Sequence, residues 1–348
     1  MDLELTDDQA VLTRLVEDFL DKECSIEVVR AAEPLGFDAG LWGQVVELGL
    51  PTMAVPEADG GGGAGLLDLA LAVERFGAVL APVPLVEVAV ATRALAEQAS
   101  GGEELRGVLA DAVAGGALVT IALAPAERGV ARLVPAGAVA DVVLALDGDE
   151  LVVVRDPAIG PATPTDPVPN LGSMPIADRD LTAGERIVVA RGAPAVAAHE
   201  QAVHRWEALT GAALVGLGAR ALDIGVGYVM ERRAFGSLIG SFQSVTHRLA
   251  DDATALDGAR LLALEAAWAV DARRGDADVL ATMAALYAAE VAFTTAAHCL
   301  QFHGGYGYTL EYDIQLYFRR AKAWPLVAGD PRARLAELGR RAFATGED

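Results

Sequence analysis

The sequence predicts an α+β protein, mainly α, in which a small β domain is set between two helical ones. Three observations predict it. Apolar residues recur near a 3.6-residue period in the first third, short β-branched runs bounded by Gly, Pro and Asp follow, and long apolar-periodic runs fill the last third. With 348 residues the chain exceeds the usual ~100 to 200 per domain, so two or three packed units are affordable. The chain carries no internal repeat at solenoid period.

Residues 1–115 form the first predicted helical domain. "TDDQAVLTRLVEDFLDKE" offers Thr6 or Asp7 as a cap and an apolar stripe at positions 11, 12, 15, 16, 19 and 20. "GLWGQVVELGL" and "AGLLDLALAVERFGAVL" repeat the pattern, separated by "PTMAVPEADGGGGAG", where Pro and a run of Gly forbid regular structure. Residues 116–200 form the predicted β domain, from "ALVTIALA", "VADVVLALDGDELVVVRD" and "ERIVVARG", with Asp147 and Gly148 as a hairpin signal. From 201 to 348 the chain reads as helical again, and Gly211, Ala212, Ala213, Gly216 and Gly218 would let helices approach closely.

Charge and composition exclude several classes. A formal net charge of −22 repels phosphate backbones and anionic lipid, which removes nucleic acid and membrane surfaces as partners. Only Cys24 and Cys299 are present, and although His298 and His303 lie near the second, they complete no metal set; no metal is expected. The acidic N-terminus is unlike a signal peptide, and the apolar stretch "FGAVLAPVPLVEVAVA" is broken by Pro82, Pro84 and Glu87. A cytoplasmic location is expected. Four histidines, His204, His247, His298 and His303, lack the Gly-x-Ser-x-Gly elbow of a hydrolase.

Two stretches carry chemistry. In "ERRAFGSLIGSFQ", residues 231–243, Arg232 and Arg233 suit a helix C-terminus, and Phe235 with Gly236 suits a hydrophobic C-cap. Phe242 and Gln243 ask for more: a rigid turn able to meet a flat, phosphate-bearing ligand, with Arg as a planar two-pronged donor. In "QFHGGYGYTLEYD", residues 301–313, Gly304 and Gly305 alone suit a C-cap and turn.

Arg-x-x-Phe-Gly, then Gln-x-x-Gly-Gly-x-Gly-Tyr, then Arg-Arg-Ala-Lys, in a helical, β, helical chain, resembles the acyl-CoA dehydrogenase family over essentially its whole length. "LWGQVVELGLPTMAVPEADGGGGAGLLDLALAVERFG" resembles its N-terminal part. The resemblance implies a C-terminal four-helix bundle, FAD as cofactor and an acyl-CoA thioester as substrate. It also implies that Arg232, Phe235, Gly236, Gln243, Gln301, Gly304 and Gly305 reach across an interface to the pyrophosphate and adenosine end of a neighbour's FAD.

The same resemblance shows what is missing. The family's catalytic Glu lies 27 residues after the Gln of Gln-x-x-Gly-Gly, where this chain has Ala328 in the segment Val327, Ala328, Gly329, Asp330. Its other place, counted back from Gly236, holds Trp206; Glu207 is one residue away, a rotation of about 100° on a helix. Asp330 and Glu207 are therefore only fallback bases. The flavin-ring strand of the family, Thr-Glu-Pro-x-Ala-Gly-Ser, is replaced by "IALAPAERG", with Ala124 and Pro125, and no Trp stands between Trp42 and Trp206 to match its Trp-Ile-Thr strand.

Such a chain resembles the short non-catalytic subunits of actinobacterial heteromeric acyl-CoA dehydrogenases, α2β2 assemblies of which some act on CoA thioesters of steroid side chains. The leading expectation is thus a subunit that completes the FAD site of a catalytic partner. A self-sufficient homomeric dehydrogenase with a non-standard base is second, and a binding or structural protein on this fold is third.

Overall fold

The computed structural model describes residues 4–98 and 102–343. The chain opens with α1 (Asp7–Glu23), α2 (Ile26–Ala31), α3 (Ala39–Glu47), α4 (Leu66–Ala78), α5 (Leu85–Glu97) and α6 (Glu103–Val113). Strands β1 (Val119–Ile121), β2 (Val130–Val134), β3 (Val142–Asp147), β4 (Glu150–Arg155), β5 (Ala177–Asp180) and β6 (Glu185–Arg191) follow. The rest is helical apart from one hairpin: α7 (Ala193–Glu231), β7 (Arg233–Ala234), β8 (Ser237–Leu238), α8 (Gln243–Asp271), α9 (Ala277–His303), α10 (Ile314–Ala323) and α11 (Pro331–Ala342). The α+β, mainly α class expected from the pattern is the class observed.

Contacts divide the chain into two compact units. One draws on Met1–Glu27, Ala70–Ala81 and Glu207–Asp348, the other on Val28–Leu69 and Pro82–Trp206.

In the first unit α1 begins where the sequence marks it. Thr6 is the N-cap, its hydroxyl accepting from the Gln9 N–H while the Gln9 side chain accepts from the Thr6 N–H, a complete capping box. Only part of the expected stripe is covered: Val16 and Leu20 are buried, whereas Val11 and Leu15 are exposed. The small residues of α7 act as their spacing suggests. A Cβ at Gly216 would fall on the Glu74 carbonyl oxygen of α4, and one at Gly77 on that of Ala213, so backbones touch where these helices cross. Farther along α7, Gly218 packs on Ala292 of α9 and Gly225 on Cys299. Glu74, almost fully buried, is held by the Arg260 Nε at 2.9 Å to both carboxylate oxygens and by Arg75 at 2.9 Å.

In the second unit a four-stranded sheet has the order β1-β3-β4-β6, with β1 parallel to β3 and the other pairs antiparallel. The expected hairpin is present. Asp147 pairs with Glu150 and Gly148 takes a positive φ of 63°, as two-residue loops require at their first position. A second sheet, β2 with β5, has no counterpart in the sequence expectation, because "VARLV" is a five-residue run without apolar–polar alternation and "ADRD" is four residues of which three are charged. Ala122, Ala131, Val134, Val143, Ala145, Val152, Val154 and Leu181 form the apolar core of this β region.

Two helical stretches, Ala193–Glu231 and Ala277–Tyr308, are long and apolar enough to cross a membrane by length and composition. Their most apolar windows are 67% and 50% buried within the protein, as core helices are.

Candidate functional site

The two motif stretches meet at one end of the first unit. At the C-terminus of α7 the Arg232 N–H still bonds the Tyr228 carbonyl at 2.9 Å, and then the chain reverses at once. Arg233 pairs with Leu238 and Ala234 with Ser237, leaving Phe235 and Gly236 as the two central residues of a hairpin. Both have positive φ, 52° and 82°, the I′ pattern usually filled by Asn-Gly. A Phe in this region costs about 1 kcal/mol relative to a residue that tolerates it, and the ring recovers little. Phe235 is 98% exposed, its one ring contact among the described residues an edge-on meeting with Phe242 at 6.5 Å between centroids. The hydrophobic C-cap expectation for Phe235 therefore does not hold, since a capping side chain packs back on its helix.

Phe242 is the N-cap residue of α8 and Gln243 its first helical residue; no side chain caps this end. Peptide N–H groups at the start of a 29-residue helix thus face solvent beside the exposed Phe235.

The second motif ends α9. Gly304 is the C-cap with φ 63°, after which residues Gly304–Tyr308 form a 3₁₀ turn. Gln301, Gly304 and Gly305 are exposed, and a Cβ at Gly236, Gly304 or Gly305 would meet nothing within 4 Å. Gly307 differs, for a Cβ there would press on the Leu300 carbonyl and on His303.

An aromatic cluster ties the two stretches together. His303 is buried, and its ring stacks on Tyr228 at 3.9 Å with a 22° tilt. Tyr312 meets both edge-on, at 6.1 Å and 5.5 Å, and packs on Tyr306 at 5.9 Å. The Arg232 guanidinium carbon lies 5.9 Å from the Tyr306 ring centroid. Burial lowers the His303 pKa, and with Nδ1 donating to the Cys299 carbonyl at 2.7 Å the ring is a neutral packing element. The sequence names none of these four rings as a unit. Its only signal is the density of Tyr in 306–312, and the partner Tyr228 lies far upstream.

The fallback bases are elsewhere and already engaged. Asp330 caps α11, accepting from the Arg332 N–H at 3.0 Å. Glu207, 5% exposed, is ion-paired with Arg334 and accepts from the Thr282 hydroxyl at 2.7 Å. Ala328 closes the 3₁₀ turn Trp324–Ala328.

In the second unit the segment matching the family's ring strand is also occupied. The Ala122 carbonyl accepts from the buried His199 Nε2 at 2.7 Å, and Ala124 and Pro125, which follow, are exposed and offer no side-chain donor. Trp206 is buried and its Nε1 donates to Glu87 at 3.1 Å. Burial pushes the Glu87 carboxyl up, with the Trp206 bond a smaller opposing cause. Among the described residues no three His, Cys, Asp or Glu side chains converge as a metal set.

Comparison with known proteins identifies the family of the chain. Residues 6–116 match the family description "Acyl-CoA dehydrogenase, N-terminal domain" and residues 195–343 match "Acyl-CoA dehydrogenase, C-terminal domain". The acyl-CoA dehydrogenase IpdE2 of Mycolicibacterium smegmatis is 31% identical over 342 residues, covering 97% of this chain and 100% of that protein. A chain of the ChsE4-ChsE5 complex from Mycobacterium tuberculosis superposes with a TM-score of 0.85 at 28% identity, covering 99% of this chain and 100% of that one. A chain of the Tcur3481-Tcur3483 steroid ACAD gives 0.83 at 26% identity, covering 97% and 99%. Two domain matches and a relative of equal extent establish that the chain belongs to the acyl-CoA dehydrogenase family, flavin-dependent oxidoreductases acting on CH–CH bonds with FAD as cofactor.

Proposed function

We propose that this chain is a non-catalytic subunit of a heteromeric acyl-CoA dehydrogenase. Arg232, Phe235, Gly236, Gln243, Gln301, Gly304 and Gly305 hold the pyrophosphate and adenosine end of an FAD seated on a partner chain. The observation that carries this reading is the open space at Gly236, Gly304 and Gly305. At Gly236 and Gly304 the positive φ already favours glycine, but at Gly305 neither a positive φ nor a neighbour within 4 Å requires it. An exposed guanidinium, a strained and exposed Phe and uncapped helix N–H groups around that space suit a flat, phosphate-bearing ligand arriving from outside.

When bound, FAD supplies the hydride acceptor for α,β-desaturation of an acyl-CoA thioester. The α-proton needs a carboxylate within hydrogen-bond reach. Ala328 has none, Asp330 is committed to a helix cap, and Glu207 is committed to Arg334, so the partner provides the base. The names of the two structural neighbours support a two-protein assembly, and that of the second supports a steroid-derived acyl group. Free thiols at Cys24 and Cys299 suit a reducing cytoplasm.

The visible spectrum tests the reading. The lone chain is expected to purify colourless and to become yellow only when co-expressed with a catalytic partner. In that complex Asp330→Ala should leave turnover within about twofold, and a loss beyond about a hundredfold, roughly 2.7 kcal/mol of barrier, would sink the assignment of the base to the partner.

A second reading rests on Glu87. Its raised pKa is the direction a general base takes for work near neutral pH, and it contacts Trp206 at the family's other base position. On that reading the lone chain binds flavin stoichiometrically, is bleached by an acyl-CoA, and loses the bleaching in Glu87→Gln.

A further inference from the structure

Arg232 is exposed, sits at the end of a helix, and has no carboxylate partner among the described residues. A free arginine of that kind samples many rotamers, and a ligand that captures it must first stop that motion. Here the side chain is not left to itself. Its guanidinium carbon lies 5.9 Å from the Tyr306 centroid, inside the roughly 6 Å reach of a cation–π contact. Tyr306, itself half-exposed, is braced from behind by Tyr312, and Tyr312 is braced by the His303–Tyr228 stack. The far end of that chain of rings, Tyr228, belongs to the helix that carries Arg232 and accepts the Arg232 N–H at 2.9 Å. The arrangement closes on itself, from α7 through four rings and back to the arginine.

We infer that Tyr306 is a positioning residue for Arg232, holding the guanidinium by its ring face so that the arginine meets a diphosphate already oriented. This rests on the reading of Arg232 as an FAD contact given above. Tyr306 need not touch the cofactor. It acts through the arginine, and the phenolic hydroxyl takes no part because the contact is made by the ring.

A double-mutant cycle tests it in the complex of this chain with its flavin-bearing partner, reading FAD affinity by flavin fluorescence titration. Tyr306→Leu is expected to weaken FAD binding about two- to fivefold, Tyr306→Phe to stay at the wild-type value, and Tyr306→Leu to have no further effect once Arg232→Ala is present. Urea unfolding of each variant separates a loss of positioning from a loss of fold, and Tyr306→Met replaces Tyr306→Leu if the latter unfolds early. Equal weakening by Tyr306→Leu with and without Arg232, or none in either background, overturns the inference while the role of Arg232 stands. Unchanged affinity in Arg232→Ala alone removes the parent reading, and the inference with it.

Discussion

Gly216 and Gly305 are the same residue for opposite reasons. At Gly216, in the α4–α7 crossing, a single added carbon would fall on the Glu74 carbonyl oxygen, so the chain's own backbone demands glycine. At Gly305, in the turn after α9, the same carbon would meet nothing within 4 Å and the backbone has no positive φ. The interior of the unit is closed by its own atoms, whereas the end that carries Arg232 and Gly305 is open, the end that the proposed function gives to a ligand. A substitution at the closed region should therefore cost stability, and one at the open region should cost ligand.

The widest separation between the two is expected from one pair of substitutions. Gly216→Ala should destabilise the lone chain by about 3 kcal/mol, because overpacking against backbone cannot relax by a rotamer change. Gly305→Ala should leave the urea midpoint within the ~0.5 kcal/mol typical of a surface site, yet weaken FAD retention by the complex. Equal stability losses at the two positions would erase the distinction.

Phe235→Asn sharpens it with a change of sign. Asn tolerates the left-handed conformation at the first position of a I′ turn, and Phe235 gives up only its edge contact with Phe242. The lone chain should gain about 0.5–1 kcal/mol in urea unfolding, while the complex should hold FAD less tightly. A gain in both would mean that the strain at Phe235 serves no ligand.

The smallest effect concerns pH. Burial lowers the pKa values of His199 and His303, so as pH falls through about 6.5 the unfolded chain takes up protons before the folded one does. Stability that these rings contribute above that pH is lost progressively below it, down to their folded values. Glu87 and Asp141, pushed up by burial, work in the opposite sense, because as pH falls they protonate first in the folded chain. His303→Asn should flatten the change in urea midpoint between pH 7.5 and 5.5, and an unaltered slope would show that His303 does not titrate in that window.

Much of the fold was legible because it is local. The Thr6 cap, the Asp147–Gly148 hairpin and the helices after 201 each follow from a few neighbouring residues, and the pattern of small residues in α7 anticipated its close crossings. The β2–β5 sheet was not legible, since its strands are short, lack strand alternation, and owe their burial to the larger sheet's core. The hairpin at Phe235–Gly236 escaped for a different reason. Turn chemistry reserves that place for Asn or Asp, and a Phe there is a departure only the backbone reveals. The ring cluster and the pairing of Glu207 with Arg334 join residues far apart in sequence, which no spacing rule reaches.

The division of the chain into units has a consequence for how the protein can come apart. Residues Ala70–Ala81 belong with the C-terminal helices, although Val28–Leu69 before them and Pro82–Trp206 after them belong to the other unit. The polypeptide passes between units at 27/28, 69/70, 81/82 and 206/207, so no single cut releases either as an intact piece. A protease nick in the β region would leave both units threaded on shared segments, and amide exchange in α4 should report the opening of the C-terminal helices.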